Sequence, residues 1–265
     1  MAIVLKKSYI YTVRAGDTIY SIARKFGSTV EAIERANHLY EPVTDPGLIF
    51  PGDVLVVPSF ATTPKVTYVV EGGDTVNKIA AVFTAFGDLI AGINDLADPN
   101  QITVNQELLV PAFVYQVQQG DTLSTISRRY GISVAAITNA NEGRPGFQAD
   151  LVWPEYHLII PLPTSLNIVV WTPLPGTKVA TNQKLEGKAR SFEASVLYQL
   201  RDANGVIVSN ERFTTADEGA PKYGNFTAAV PFDKTPTATT GELWVYTRSA
   251  EDDSIRDLVK IKVYF

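Results

Sequence analysis

Three short segments of this chain carry residue types suited to recognition: Gly16-Asp17-Thr18-Ile19, Gly73-Asp74-Thr75-Val76 and Gly120-Asp121-Thr122-Leu123. An apolar pattern of helical period follows each one, so each marks a turn that enters a helix. The first turn of a helix leaves backbone N–H groups without partners, and a carboxylate or hydroxyl placed just before it accepts from some of them. Donors that remain exposed are available to an acceptor group on a ligand. A glycine beside them lets a ligand approach the backbone, because no Cβ intervenes. On this reading Asp17, Asp74 and Asp121 are capping groups, and recognition falls to the loop backbone.

Other chemistries find little to work with. His38 and His157 are the only histidines and stand in loops of different segments, so neither a nucleophilic triad nor a zinc cluster can be assembled. Cysteine is absent, which removes disulfides, thiolate metal sites and cysteine nucleophiles together. No phosphate loop or dinucleotide fingerprint is present. A glycosidase needs two carboxylates placed across a cleft, and repeats of a small unit do not offer one. The expectation is a protein that is not an enzyme, with no cofactor and no metal.

The elements that position the three segments repeat along the chain. YTVRAGDT at Tyr11–Thr18 returns as YVVEGGDT at Tyr68–Thr75 and YQVQQGDT at Tyr115–Thr122. Each copy runs into an apolar helical face: Ile19, Ile22, Ala23 and Phe26, then Val76, Ile79, Ala80 and Phe83, then Leu123, Ile126, Ser127 and Tyr130. Gly27, Gly87 and Gly131 follow as helix-closing residues. A second short helix ends at Asn37, Asn94 or Asn141, with Ser28 and Glu31 forming a capping box in the first copy and Ser133 a cap in the third. An apolar strand closed by Pro58, Pro111 or Pro161 completes each unit. The order is strand, helix, helix, strand, over residues 9–59, 66–112 and 114–162. Tyr11, Tyr68 and Tyr115, in the first strands, read as core.

This pattern resembles the LysM domain, a βααβ fold that binds peptidoglycan or chitin. Pro51-Gly52-Asp53 matches the family's turn before the last strand, whereas the second and third copies carry Val104-Asn105-Gln106 and Pro154-Glu155-Tyr156 there. The resemblance implies a shallow groove between the loop before the first helix and the loop after the second. Its candidate residues are Gly16, Asp17, Thr18 and Ile19 with Asn37, Leu39 and Tyr40 opposite, and Gly120, Asp121, Thr122 and Leu123 with Asn141 opposite. Gly73, Asp74, Thr75, Val76 and Asn94 are weaker candidates, since the second copy sets six carboxylates against the single Lys78. Asn37 and Asn141 read equally well as helix terminators and as ligand contacts. Short connections, with Pro64 before the second copy and Ala112-Phe113 before the third, place the units close enough for one polymer to engage several of them.

From Asn167 the pattern alternates with period two. Strand candidates cover 167–171, 184–190, 194–201, 206–210, 225–232, 242–249 and 255–265, which points to an all-β sandwich over 167–265. Ile168-x-Val170-x-x-Pro173, Leu185-x-Gly187-x-Ala189 and Gly224-x-Phe226 resemble a bacterial immunoglobulin-like domain associated with spore germination and cell-surface proteins. The fold class expected is thus multidomain, three small α+β modules and one immunoglobulin-like sandwich.

A net charge of -5 with no Lys/Arg stripe argues against nucleic acid as a partner. No apolar run approaches the roughly 18 residues that span a bilayer, and MAIVLKKSYIY does not read as a signal peptide. The function expected is multivalent, non-catalytic binding of an N-acetylglucosamine-containing wall polymer, at the cell wall or spore surface of a Gram-positive bacterium. The alternative is a scaffold of a spore coat, exosporium or surface assembly acting through other envelope or coat proteins.

Overall fold

A computed structural model describes residues 2–265. The first module runs β1 (Ser8–Thr12), α1 (Ile19–Phe26), α2 (Val30–Asn37), β2 (Val54–Pro58). The second runs β3 (Val66–Val69), α3 (Val76–Val82), α4 (Gly87–Ile93), β4 (Glu107–Val110). The third runs β5 (Ala112–Gln116), α5 (Leu123–Tyr130), α6 (Val134–Asn141), β6 (His157–Pro161). The repeat therefore folds as strand, helix, helix, strand in all three copies. In the first, Tyr11, Ile22, Phe26, Ile33, Leu39, Leu55 and Val57 are buried together as its core.

Local details correct several expectations. The residue capping each leading helix is the threonine, with the aspartate one position further out. The hydroxyls of Thr18, Thr75 and Thr122 accept from the N–H groups of Ser21, Lys78 and Thr125 at 3.1, 3.2 and 3.1 Å. Thr29, not Ser28, caps α2, accepting from the Ala32 N–H at 3.1 Å, while Ser133 caps α6. Gly27 closes α1 in the left-handed conformation, but Gly87 opens α4, and the left-handed position after α3 falls to Thr84.

The first two modules are not beads on a string. β1 and β3 pair in parallel, Ser8 opposite Val66 and Ile10 opposite Tyr68, so four strands form one sheet in the order β2-β1-β3-β4. The two strands of the third module pair separately, and residues 2–4 run beside β5, with the Val4 N–H donating to the Val114 carbonyl at 2.9 Å. Such pairing covers strand edges that would otherwise stay open.

By internal contacts the chain divides into two compact units. One holds the residues up to Thr84 with Asp98–Arg128 and Ile132–Pro161; the other holds Ala85–Ala97, Arg129–Gly131 and Leu162–Phe265. The second unit is built on β7 (Ile168–Thr172), β8 (Thr177–Lys178), β9 (Gln183–Ala189), β10 (Ser195–Asp202), β11 (Ile207–Thr215), β12 (Gly224–Val230), β13 (Thr240–Arg248) and β14 (Ile255–Tyr264). A five-stranded sheet, β11-β10-β13-β14-β8, faces a three-stranded one, β12-β9-β7, over Ile168, Leu185, Val196, Phe226, Val245 and Val259. The short β8 was not expected, and β11 runs five residues past the expected end at Asn210. Helix α4 belongs to this unit: Asp95 pairs with Lys188 at 2.8 Å, Asp88 with Arg190 at 3.6 Å, and Gly92 lies against the Tyr223 ring.

Candidate functional site

The turn entering each leading helix is built by one repeated device. In the first module Asp17 Oδ2 accepts from the Tyr11 hydroxyl at 2.7 Å and the Arg14 N–H at 2.8 Å. In the second, Asp74 Oδ2 accepts from the Tyr68 hydroxyl at 3.0 Å and the Glu71 N–H at 2.8 Å. In the third, Asp121 Oδ2 accepts from the Tyr115 hydroxyl and the Gln118 N–H. The aspartates thus tie the turn to the preceding strand. Burial pushes the Tyr11 phenol up to about 12, with the Asp17 hydrogen bond adding to it, and raises the Tyr68 phenol likewise. Both phenols stay protonated donors at neutral pH.

What the turns present outward is backbone. Gly16, Gly73 and Gly120 have positive φ of 87°, 86° and 83°, and a Cβ built on any of them would meet nothing within 4 Å. In the first and third modules the cap is reciprocal: Ser21 Oγ accepts from the Thr18 N–H at 3.0 Å, and Thr125 Oγ1 from the Thr122 N–H at 2.9 Å. Ile19 and Tyr20, and Leu123 and Ser124, lead their helices with N–H groups that no acceptor takes among the described residues. The Ile19 and Leu123 side chains are buried, so these two positions can contribute only backbone. The second module departs from this. Lys78 stands where the reciprocal hydroxyl would be, and its Nζ reaches back to the Gly73 carbonyl at 2.9 Å. Arg14 and Lys25 of the first module hold the second module's Glu71 and Asn105.

The residues expected on the opposite rim are placed differently from that expectation. Asn37 and Asn141 are fully buried and bridge helix to strand. Asn37 Nδ2 donates to the Ile33 and Val56 carbonyls and its Oδ1 accepts from the Val56 N–H, each at 2.8 Å. Asn141 does the same with Ile137 and Ile159. Neither side chain is left to contact a ligand, and Leu39 is fully buried as well. Asn94 donates to the Ile90 carbonyl at 2.8 Å and is half-buried. Tyr40 is half-buried, its ring 4.1 Å from that of His38. Apolar surface does exist on the first module, in residues that periodicity alone did not single out: Tyr20 is 70% exposed, Phe50 56% and Leu48 39%. Gly47, next to Leu48, lies within van der Waals reach of Ile19, which places this loop beside the turn.

The turn before the last strand has the same geometry in all three copies despite its three sequences. Gly52, Asn105 and Glu155 all take positive φ and all donate N–H to the strand before the leading helix, to Val13, Val70 and Val117, at 2.8 to 2.9 Å.

One buried group joins the first and third modules. Arg144 is 5% exposed, and its Nη1 donates to Asn141 Oδ1 at 2.7 Å and the His157 carbonyl at 2.6 Å, while Nη2 donates to Asn37 Oδ1 at 3.0 Å. Its guanidinium lies 4.5 Å from the Tyr156 ring centroid. No carboxylate pairs with it among the described residues, and burial lowers its pKa. His38 stacks on Trp153 at 5.1 Å in the same joint. Burial also holds the imidazoles of His38 and His157 below the usual histidine range, to about 4 for His157. Among the described residues no group of three or more His, Asp or Glu converges as a metal site requires.

Over 126 residues the chain is 33% identical to the esterase MT1326 of Mycobacterium tuberculosis, covering 45% of this chain and 26% of that protein. It is 30% identical over 156 residues to the N-acetylmuramoyl-L-alanine amidase sle1 of Staphylococcus saprophyticus (49% and 46% covered) and 31% over 188 residues to the probable autolysin SsaALP of Staphylococcus aureus (71% and 50%). This chain thus spans a quarter to a half of the relatives' lengths. Among solved structures, the spore cortex-lytic enzyme SleL of Bacillus cereus is 32% identical over 42% of this chain and 23% of its own, with a TM-score of 0.30. The LysM domain family matches residues 11–58, 68–111 and 115–161, and the immunoglobulin-like domain of bacterial spore germination matches 167–254. The chain belongs to the LysM family, with three copies of that domain followed by a spore-germination immunoglobulin-like domain.

Proposed function

We propose that the first and third modules bind an N-acetylglucosamine-containing wall glycan without cleaving it, and that the second module serves as a connector. The observation that carries this reading is the open, glycine-bearing turn at Gly16 and Gly120, set against unpaired N–H groups at the start of α1 and α5. An acetamide carbonyl can accept from such amides. In the first module Tyr20, Leu48 and Phe50 supply apolar surface for the sugar ring. In the second, Lys78 already occupies the Gly73 carbonyl and Arg14 grips the turn. A shallow groove of this kind binds weakly alone, and two in one chain gain by effective concentration on a repeating polymer.

Relatives named for amidase and autolysin activity support a wall setting, and the spore-germination domain supports a spore or cell-surface location in a Gram-positive bacterium. About half of each of those relatives lies outside the match, so their activities are not carried over to this chain. Contacts to other envelope proteins find support in Phe192 and Phe213 of the sandwich, 76% and 72% exposed.

The test is calorimetry with a long chito-oligosaccharide and sedimentation with insoluble peptidoglycan. Saturable binding should weaken at least about tenfold in Leu48→Ala/Phe50→Ala, the loss of two apolar contacts, with no soluble fragments released from the wall. Absence of binding by the unaltered chain would overturn the glycan reading, and fragment release its non-catalytic part.

A further inference from the structure

Backbone geometry makes certain side chains of the three modules equivalent even where their identities differ. Next to the matching donors Gly52, Asn105 and Glu155, the N–H groups of Asp53, Gln106 and Tyr156 also bond alike, to the carbonyls of Phe50, Thr103 and Trp153 at 3.0, 2.9 and 3.2 Å. Phe50, Thr103 and Trp153 therefore occupy one position of the repeat, and Leu48, Gln101 and Leu151 the position two residues earlier. The apolar pair that the glycan reading uses in the first module, Leu48 and Phe50, recurs in the third as Leu151 and Trp153, whereas the second carries two polar residues. Leu151 is 44% exposed, close to the 39% of Leu48, and Trp153 is half-buried.

Trp153 differs from Phe50 in being held by another module. The buried His38 ring of the first module lies 5.1 Å from the indole, with 18° between the planes, and 4.1 Å from the Tyr40 ring. The indole N–H has no acceptor among the described residues, so packing fixes the ring. His38 closes α2 in the left-handed conformation, φ 52° and ψ 46°, a place that glycine fills without strain. An imidazole there carries a conformational cost that its aromatic contacts offset. Around this stack the two modules interlock. The Val54 N–H donates to the Gly143 carbonyl at 3.0 Å, and a Cβ on Gly146 would stand 2.5 Å from Val43 Cγ1. The loop that carries Trp153 is thus seated on the first module.

We propose that Leu151 and Trp153 are the sugar-ring contacts of the third module, and that His38 of the first module is the positioning residue for Trp153. The third site is then complete only when the first module is docked beside it. This rests on the glycan reading and adds to it the residues, and the neighbouring module, that the third site requires. An indole offers the C–H face of a pyranose a large rigid surface at little cost in side-chain freedom. His38 stacks on one side of that ring and limits its rotation, which lowers the cost further.

The experiment titrates the full chain with a long chito-oligosaccharide, reading affinity by calorimetry and contact by tryptophan emission. Binding should change the emission of the unaltered chain, and Trp153→Phe should remove that change while keeping most of the affinity, although Trp171 and Trp244 still emit. In the Leu48→Ala/Phe50→Ala background the third module carries the binding that is left, and Trp153→Ala should weaken it at least about tenfold further. His38→Gly, which suits the left-handed backbone and removes only the ring, should weaken it as well, and His38→Phe should keep it. An emission change that survives Trp153→Phe, or residual affinity unmoved by Trp153→Ala, would overturn the assignment of Trp153, and the emission result decides even if the alanine variant fails to fold. Residual affinity unmoved by His38→Gly would overturn the role of His38. Each of these outcomes leaves the glycan reading standing, whereas absence of binding by the unaltered chain removes both.

Discussion

The same six-residue spacing, Tyr11 to Asp17, Tyr68 to Asp74 and Tyr115 to Asp121, recurs in every module, and in each the carboxylate accepts from the phenol and from a turn N–H. Truncating the acid leaves a buried hydroxyl without its acceptor, which costs about 1–3 kcal/mol. Asp17→Ala should therefore destabilise by about 2 kcal/mol in chemical unfolding, Asp17→Asn by less, and Tyr11→Phe/Asp17→Ala by less than the sum of the single changes. The spacing was visible in the sequence. Its meaning was not, because a short polar residue ahead of a helix reads first as a cap, and only geometry shows that Thr18 fills that role. Arg144 was invisible for a different reason: nothing local distinguishes it from a solvated arginine. It lies in a loop of the third module, and its partner Asn37 is 107 residues away. Removing a buried hydrogen-bonded charge leaves its acceptors unpaired and a void, whereas an apolar residue of similar volume can be nearly neutral. Arg144→Ala should lower stability by about 3 kcal/mol and Arg144→Met by clearly less, measured on the same unfolding transition.

Most elements could be read from periodicity, because the helices are amphipathic and the strands alternate. The failures sit where conformation rather than hydrophobicity decides. Gly87 looked like the close of a helix by analogy with Gly27, yet α3 stops at Val82 and Thr84 takes the left-handed position. Asn105 and Glu155 reproduce the backbone of Gly52 without its sequence, since two strand hydrogen bonds impose it. The pairing of β1 with β3 was also beyond reach, as nothing in either strand states which edge it will share. Helix α4 illustrates the point in side-chain terms: Gly92 reads as a weak residue within a helix, but it is where the Tyr223 ring rests. Any Cβ there would overlap that ring. Gly92→Leu should displace Tyr223 and separate Asp95 from Lys188. The expected result is a loss of roughly 2 kcal/mol or more, with faster hydrogen exchange at the α4 amides and no change in chito-oligosaccharide affinity.

At the scale of the whole molecule, the sequence places the modules close enough for one polymer to engage several of them, and the structure adds a joint between the first and third through the buried Arg144. That joint has a pH dependence whose sign follows from its residues. His157 is held at about 4 by burial, with Arg144 and then Arg35 adding to the effect, and burial depresses His38 as well, opposed by Glu155. In the unfolded chain a histidine titrates near 6.5. Between these values the unfolded state binds more protons, so stability is full above about pH 6.5 and is lost as the pH falls toward 4. For His157 the difference amounts to about 3 kcal/mol. The melting temperature of the full chain should fall across that window, and His157→Gln should flatten the fall while leaving the value at pH 7.5 within a few degrees. A profile unchanged by the substitution would mean that His157 is as accessible to protons in the folded protein as in the unfolded one, and that the joint around Arg144 is open to solvent.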